Sequence, residues 1–155
     1  MTKKSAPPMT FPVRIPFVEK LGLELHGVGH GSSELRLDAG EEHHNSFDVV
    51  HGGVIMTLLD VTMAFAARSV HADQPNYGPG VVTIEMKTSF MRPGEGMLRA
   101  EGKLLHRSAT MAFCEASVFD TQDRLVAHAT GTFKYLKALP AGERKLKNLQ
   151  LPDQS

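Results

Sequence analysis

An aspartate at position 60 interrupts the most apolar stretch of the chain, which runs from Val54 to Ala67. In a helix its neighbours at three and four residues would be Met56, Thr57, Met63 and Ala64, and none carries a compensating charge. Asp60 also lies beyond the first turn, so N-capping does not account for it. A buried carboxylate without a partner is costly, so Asp60 must meet a distant polar group, water or a substrate. The first is a structural role; the others make it a general base or a nucleophile. Just before the same stretch stands His51-Gly52-Gly53. Paired glycines at a helix start let another group come close to the backbone. Free N–H groups at the positive end of a helix suit an oxyanion or a polarised carbonyl. Asn45 precedes them in a polar loop, where its amide could assist a carbonyl or simply close an Asx turn. By the rise per residue, Gly52 and Asp60 stand about 12 Å apart along the helix. One helix can hardly bring both to the same bond, so a second copy of the chain is expected to supply the other.

The elements that must position these residues follow from periodicity and turn residues. Pro16 to Leu21 predicts a short helix, and two strands follow over Leu23–His30 and Ser33–Ala39. A polar loop spans Gly40–Val50, and the helix runs from Gly52 to about Val70. Four more strands are expected over Val81–Met91, Met97–Arg107, Ala109–Asp120 and Arg124–Leu136, and their short connections predict an antiparallel meander. The helix has almost no polar face, so it should be buried all round. The expected architecture is therefore α+β, with an antiparallel sheet of five or six strands curled around one central helix. Free sheet edges are commonly hidden by a second subunit. Residues 1–14 and 139–155 read as flexible tails flanking a single domain at 15–138.

The segment Asn45-Ser-Phe-Asp-Val-Val-His51-Gly52-Gly53-Val-Ile-Met-Thr-Leu-Leu-Asp60 resembles the signature of PaaI-type hotdog-fold acyl-CoA thioesterases, and the likeness extends over about residues 17–136. The resemblance implies a thioester hydrolase. In it the Gly52 N–H, helped by Asn45, polarises the carbonyl, and Asp60 of the facing subunit acts as base or nucleophile. His51 and Gly53 would line the substrate site. The resemblance also implies that Thr83 orients the water, as in some relatives, and that a tetramer forms. Plain strand alternation puts Thr83 on the polar side with Glu85 and Lys87, opposite Ile84 and Met86. It can serve only if that side faces the cleft. Branches with Glu at the position of Asp60, or with an Asp-x-x-Gly-His motif, are not matched here.

Composition narrows the alternatives. Lys plus Arg and Asp plus Glu number 17 each, so no long-range field draws in nucleic acid or an anionic membrane. Anionic groups of coenzyme A would need local cations, for which Arg92 and the Arg107-Ser108 pair are candidates. The Val54–Ala67 stretch is read as too short to span a bilayer. Cys114 is the one cysteine, which excludes an intrachain disulfide; with no leader-like segment after Met1, a cytoplasmic setting is expected. His43, His44 and His51 lack metal-site spacing, and neither a metal nor another cofactor is expected. No Gly-x-Ser-x-Gly elbow occurs. A hotdog hydratase or dehydratase would need a catalytic His paired with a carboxylate, which His51-Gly-Gly does not resemble. A non-catalytic acyl-CoA binder would gain nothing from Asp60.

Overall fold

The computed structural model describes residues 6–143 and 145–153. Its organising element is α2 (Gly52–Arg68), a 17-residue helix in which Ile55, Leu58, Leu59, Met63, Phe65, Ala66 and Ala67 are all buried. A helix without a polar face needs cover on every side. Six antiparallel strands cover most of it: β1 (Glu24–Gly29), β2 (Ser32–Asp38), β3 (Gly80–Phe90), β4 (Met97–Arg107), β5 (Met111–Phe119) and β6 (Leu125–Leu136). The face carrying Gly53, Met56, Thr57, Asp60 and Ala64 stays exposed or half-buried, so the helix is not buried all round as its composition suggests. The strands form one sheet in the order β1-β2-β4-β5-β6-β3, and all six touch α2. Leu35 and Leu37 of β2, Leu98 and Ala100 of β4, Ala112 to Val118 at alternate positions of β5, and Ala127, Ala129 and Phe133 of β6 face the helix and are buried. Small residues predominate where the strands pass closest to α2. The His30-Gly31 turn joins β1 to β2 with positive φ at both residues (51° and 78°), the geometry a two-residue hairpin demands. Before β1, α1 (Pro16–Leu21) starts with Pro16 and stops at Gly22, whose φ is 76°.

Two features depart from simple sequence expectation. Only β4-β5-β6 is a meander; β3 pairs with β6, at the opposite end of the run from β2 and β4. The link Met91–Gly96 is therefore a crossover rather than a hairpin. It can be short because the sheet curls until the end of β3 and the start of β4 both lie at the N-terminal end of α2. There the Gly94 carbonyl accepts from Val50 N–H at 2.9 Å, and Met91 N–H donates to the Val126 carbonyl at 2.8 Å. A Cβ on Gly94 would press on Ile55 and Leu98 at 3.2 Å, so the link lies flat on the core. The second feature is a bulge in β3. Thr83 pairs with Phe133 and Glu85 with Thr132, leaving Ile84 unpaired.

Parts of the expected tails are also packed. Met9 bridges to Leu25, Phe11 sits 5.3 Å from the Phe65 ring, and Val13 is in the core. β7 (Leu139–Pro140) and β8 (Leu146–Lys147) form a small ribbon, and the Gln150 carbonyl accepts from Arg14 N–H at 2.8 Å. Positions 1–5, 144, 154 and 155 of those tails lie outside the described residues. With the turn Ser69–His71, α2 becomes a 20-residue run that is long and apolar enough to cross a bilayer, longer than the sequence reading allows. Most of it is buried inside the protein.

Helix and sheet approach each other closely at Gly102 of β4. A Cβ there would come within 2.9 Å of the Thr62 carbonyl and 2.8 Å of Ser33 Oγ, the two groups joined by a 2.6 Å bond that ties β2 to α2. Gly102→Ala should destabilise the fold by about 1–3 kcal/mol in urea unfolding. Gly27→Ala, whose Cβ would meet Glu34 Cβ at 3.6 Å, an ordinary contact, should be near neutral.

Candidate active site

Asp60 lies on the part of α2 that β3 covers. Its Oδ1 accepts a 2.6 Å hydrogen bond from the Thr83 hydroxyl. That contact depends on the bulge. Thr83 pairs with Phe133, whose ring points at the helix, so Thr83 points there too. The extra residue at Ile84 resets the alternation. Glu85, Lys87 and Ser89 then share the outer face with Thr132, Thr130 and His128, while Met86, Thr88 and Phe90 return to the inner face. The expectation that Thr83 shares a side with Glu85 and Lys87 is thus overturned, and the resetting is what aims its hydroxyl at Asp60. Burial pushes the Asp60 carboxyl above the ordinary carboxylate range, and the Thr83 hydrogen bond opposes that rise in part. Asp60 has no cationic partner among the described ion pairs.

The other candidate groups gather at the N-terminal end of α2. His51 is the N-cap, and its Nδ1 accepts from Gly53 N–H at 2.9 Å. Val54 and Ile55 N–H both reach the His51 carbonyl, at 2.9 and 3.2 Å. Among the described residues, the Gly52 N–H is left without an acceptor. The resemblance puts the Gly52 N–H on the carbonyl and Gly53 in the substrate lining; in the structure the Gly53 N–H is taken by the cap instead. Gly53 serves the cap, and a Cβ on it would lie 3.1 Å from His51 Nδ1; Gly52 presents its donor. Asn45 Oδ1 accepts from Phe47 N–H at 2.9 Å, so the Asx turn is real. The Asn45 carbonyl and N–H also hold the loop, through Asp48 N–H and the Val49 carbonyl. This fixes the amide and leaves its NH2 donors uncommitted among the described bonds. Asn45, Gly52, Phe90 and Arg92 line a common cavity of about 380 Å³ with Ile55 and Met91. Phe90 was not signalled by sequence, because nothing in an alternating strand says which residue will stand against Gly52.

Asp60 and Thr83 do not line this cavity. Neither do His51 and Gly53. Arg92 does, with one guanidinium N–H held by the Leu125 carbonyl at 2.8 Å. Arg107 and Ser108 sit at the far end of β4, about 30 Å from its start by the strand rise. The Ser108 hydroxyl accepts from Met111 N–H at 3.0 Å, within its own turn. A single chain therefore brings together Asp60 with Thr83, and Asn45 with Gly52 and Arg92, as two separate groups. Among the described residues no three His, Cys, Asp or Glu side chains form a metal-like cluster. His44 is bonded to Asp48, and His43 to Gly40 and Leu21. Cys114 is buried on β5, and burial pushes its thiol up to about 12, which suits packing and not nucleophilic attack.

Comparison with known proteins agrees with this architecture. The family model of the Thioesterase superfamily matches residues 47–127, the stretch that carries Gly52, Asp60 and Thr83. A Saccharolobus solfataricus protein named as a proposed esterase is 30% identical over 118 residues, covering 76% of this chain and 81% of its own length. Among solved structures, a conserved protein of Pseudomonas aeruginosa superposes with a TM-score of 0.75 at 32% identity, covering 83% of this chain and all of that one. A mutant of the phenylacetic acid degradation protein PaaI of Thermus thermophilus superposes with a TM-score of 0.69 at 25% identity, covering 79% of this chain and all of that one. With one buried helix inside a six-stranded antiparallel sheet, a carboxylate on that helix and a free N–H at its start, the chain belongs to the hotdog-fold thioesterase superfamily.

Proposed function

We propose that this protein hydrolyses an acyl thioester of coenzyme A, or of a related phosphopantetheine carrier, in sites each built from two copies of the chain. The observation that carries this reading is the Thr83–Asp60 pair, a carboxylate on an apolar helix with a hydroxyl aimed at it and no ion-pair partner among the described residues. Two further observations support a shared site. Asp60 and Thr83 are absent from the cavity that holds Asn45, Gly52 and Arg92. β3 is also an edge strand with Ile84 and Phe90 about half exposed (54% and 50%), a surface that a second β3 would cover. A dimer, or a tetramer of such dimers, then sets Asp60 of one chain against the Gly52 N–H of the other.

In this arrangement the thioester carbonyl oxygen accepts from the Gly52 N–H and the Asn45 amide, which draws electron density from its carbon. Water held by Asp60 and the Thr83 hydroxyl attacks that carbon while Asp60 takes the proton. The tetrahedral intermediate then collapses, the C–S bond breaks and the thiolate leaves with its electron pair. Alternatively the Asp60 carboxylate attacks first, the C–S bond breaks with loss of the thiolate, and water cleaves the resulting mixed anhydride to release the acid and regenerate Asp60. Both routes need Asp60 ionised. Arg92, at the rim of the same cavity, can meet a phosphate of the carrier. The His51 ring nitrogen caps α2, which does not favour a hydratase role for it.

Asp60→Asn keeps size and polarity but removes the base, and kcat on an acyl-CoA panel should fall by orders of magnitude. The sign of the stability effect is set by the raised carboxyl. A folded-state value above the unfolded one makes ionised Asp60 unfavourable for folding, and this loss accrues as pH rises from the ordinary value through the raised one. Asp60→Asn should therefore keep or gain stability at neutral pH; wild-type turnover in this variant defeats the catalytic assignment.

The pH profile gives a separate measurement. The acid limb of kcat/KM in the wild type should lie above the ordinary carboxylate value of 3.8, because the protonated form that accumulates below the raised value is inactive. A limb at or below that value would contradict the role.

Asn45→Ala should lower kcat by up to about 10²–10³, as loss of one oxyanion donor does. When Asp60→Asn and Asn45→Ala chains exchange subunits, each mixed dimer should regain one intact site. Verified exchange without regained activity rules out the shared geometry.

A further inference from the structure

We infer that His43 is a positioning residue for the carbonyl-polarising end of the site, a role that rests on the function proposed above. His43 is the one buried histidine among the described residues, at 4% exposure, and both ring nitrogens are engaged. Nδ1 accepts from Gly40 N–H at 3.0 Å, so Nε2 carries the proton and donates to the Leu21 carbonyl at 2.8 Å. The Leu21 carbonyl is at the end of α1, far from His43 in sequence. The carboxylate paired with the ring is that of Glu42; it lies 3.8 Å from Nδ1 and is mostly exposed, too far for a hydrogen bond.

The backbone of His43 continues the chain of bonds. Its carbonyl accepts from His51 N–H at 2.8 Å, and His51 is the N-cap of α2. The imidazole therefore pins a strut from α1 to the residue preceding Gly52. Asn45 stands two residues beyond the pinned point. The bonds inside the Asn45–Val50 loop set its shape: Asn45 N–H to the Val49 carbonyl at 2.8 Å, Asp48 N–H to the Asn45 carbonyl at 3.0 Å, and the Asx bond to Phe47. None of them sets where that loop stands relative to α2. That placement falls to His43 on one side and to the Val50–Gly94 bond on the other. Loss of the ring bonds lets the Asn45 amide and the Gly52 N–H move apart, while Asp60 and Thr83, held by β3, stay in place.

The test uses the full-length protein and two substitutions that each keep one bond. His43→Asn can retain an acceptor for Gly40 N–H, and His43→Gln can retain a donor for the Leu21 carbonyl. For each, kcat on a good acyl-CoA substrate should fall by about 10- to 100-fold, the cost of misplacing a positioned group. KM should stay within about twofold. In double mutants, His43→Asn should add little to the loss caused by Asn45→Ala, but should multiply with Thr83→Val. A purely structural histidine would lower the melting temperature and leave kcat per folded enzyme, and both couplings, unmoved; that result overturns the inference. If Asn45→Ala itself has wild-type kinetics, the proposed site fails and this role fails with it. If Asn45→Ala is impaired and both His43 variants are not, only this role fails. Nitrogen-15 shifts of the wild-type imidazole need no variant: the proton must be found on Nε2, and a proton on Nδ1 alone refutes the bonding pattern.

Discussion

A helix that is apolar on every side must be enclosed, and most of this structure is the consequence of enclosing α2. The sheet has to curl around most of the helix, leaving only the face of Gly53, Met56, Thr57, Asp60 and Ala64 partly open, and the short link from β3 to β4 is possible only because of that curl. Close packing then demands small residues at the contacts, which is why Ala112, Cys114 and Ala116 face inward from β5 and why Gly102 meets the Thr62 carbonyl. Enclosure also sets the chemistry. A carboxylate carried on such a helix cannot be solvated as it would be on a surface, and its ionised form is disfavoured. The hydroxyl of Thr83 compensates in part without cancelling the charge, as a cation would.

The parts of the fold legible in the sequence are those that depend on local pattern. The span of α2, the six strands and their approximate limits follow from apolar periodicity and from turn residues such as Gly31 and Pro93-Gly94. The position of β3 does not follow. A short connection suggests a hairpin, and only the curvature of the finished sheet reveals that six residues can join opposite rims. The bulge at Ile84 is equally silent, since Val-Val-Thr-Ile-Glu-Met alternates as an ordinary strand would. Reading it without the bulge turns Thr83 away from the helix. For the site, Asp60, Asn45 and Gly52 were legible as chemical anomalies or through family likeness. The capping role of Gly53 was not, because it depends on which N–H the His51 ring accepts from.

That cap sorts the donors at the start of α2. The first N–H groups of any helix lack intrahelical partners, and several compete for whatever anion or carbonyl approaches. Here the N-cap ring takes the Gly53 N–H and the His51 carbonyl takes two more. What remains is a single donor, from a residue with no side chain to obstruct it. A carbonyl seated there meets one defined direction, aided by the positive end of the helix. Specific capping thus converts a diffuse electrostatic preference into a directed hydrogen bond.

The same helix places its two chemical ends in opposite settings. At the start, an N–H and the macrodipole favour accumulating negative charge on a carbonyl oxygen; two turns further in, the surroundings disfavour negative charge on Asp60. Raising a carboxyl towards neutrality makes it a stronger base when ionised, which is useful for taking a proton from water. Electron density moving from an unwelcoming site to a welcoming one matches the direction of attack on a thioester. Within one helix the two ends are too far apart to exploit that difference on the same bond. The antiparallel approach of a second copy along β3 would turn the start of one helix towards the carboxylate of the other. On the proposed reading, the exposed edge strand and the separation of Asp60 from Gly52 would be two aspects of one requirement: the helix that creates the charge difference could not use it alone.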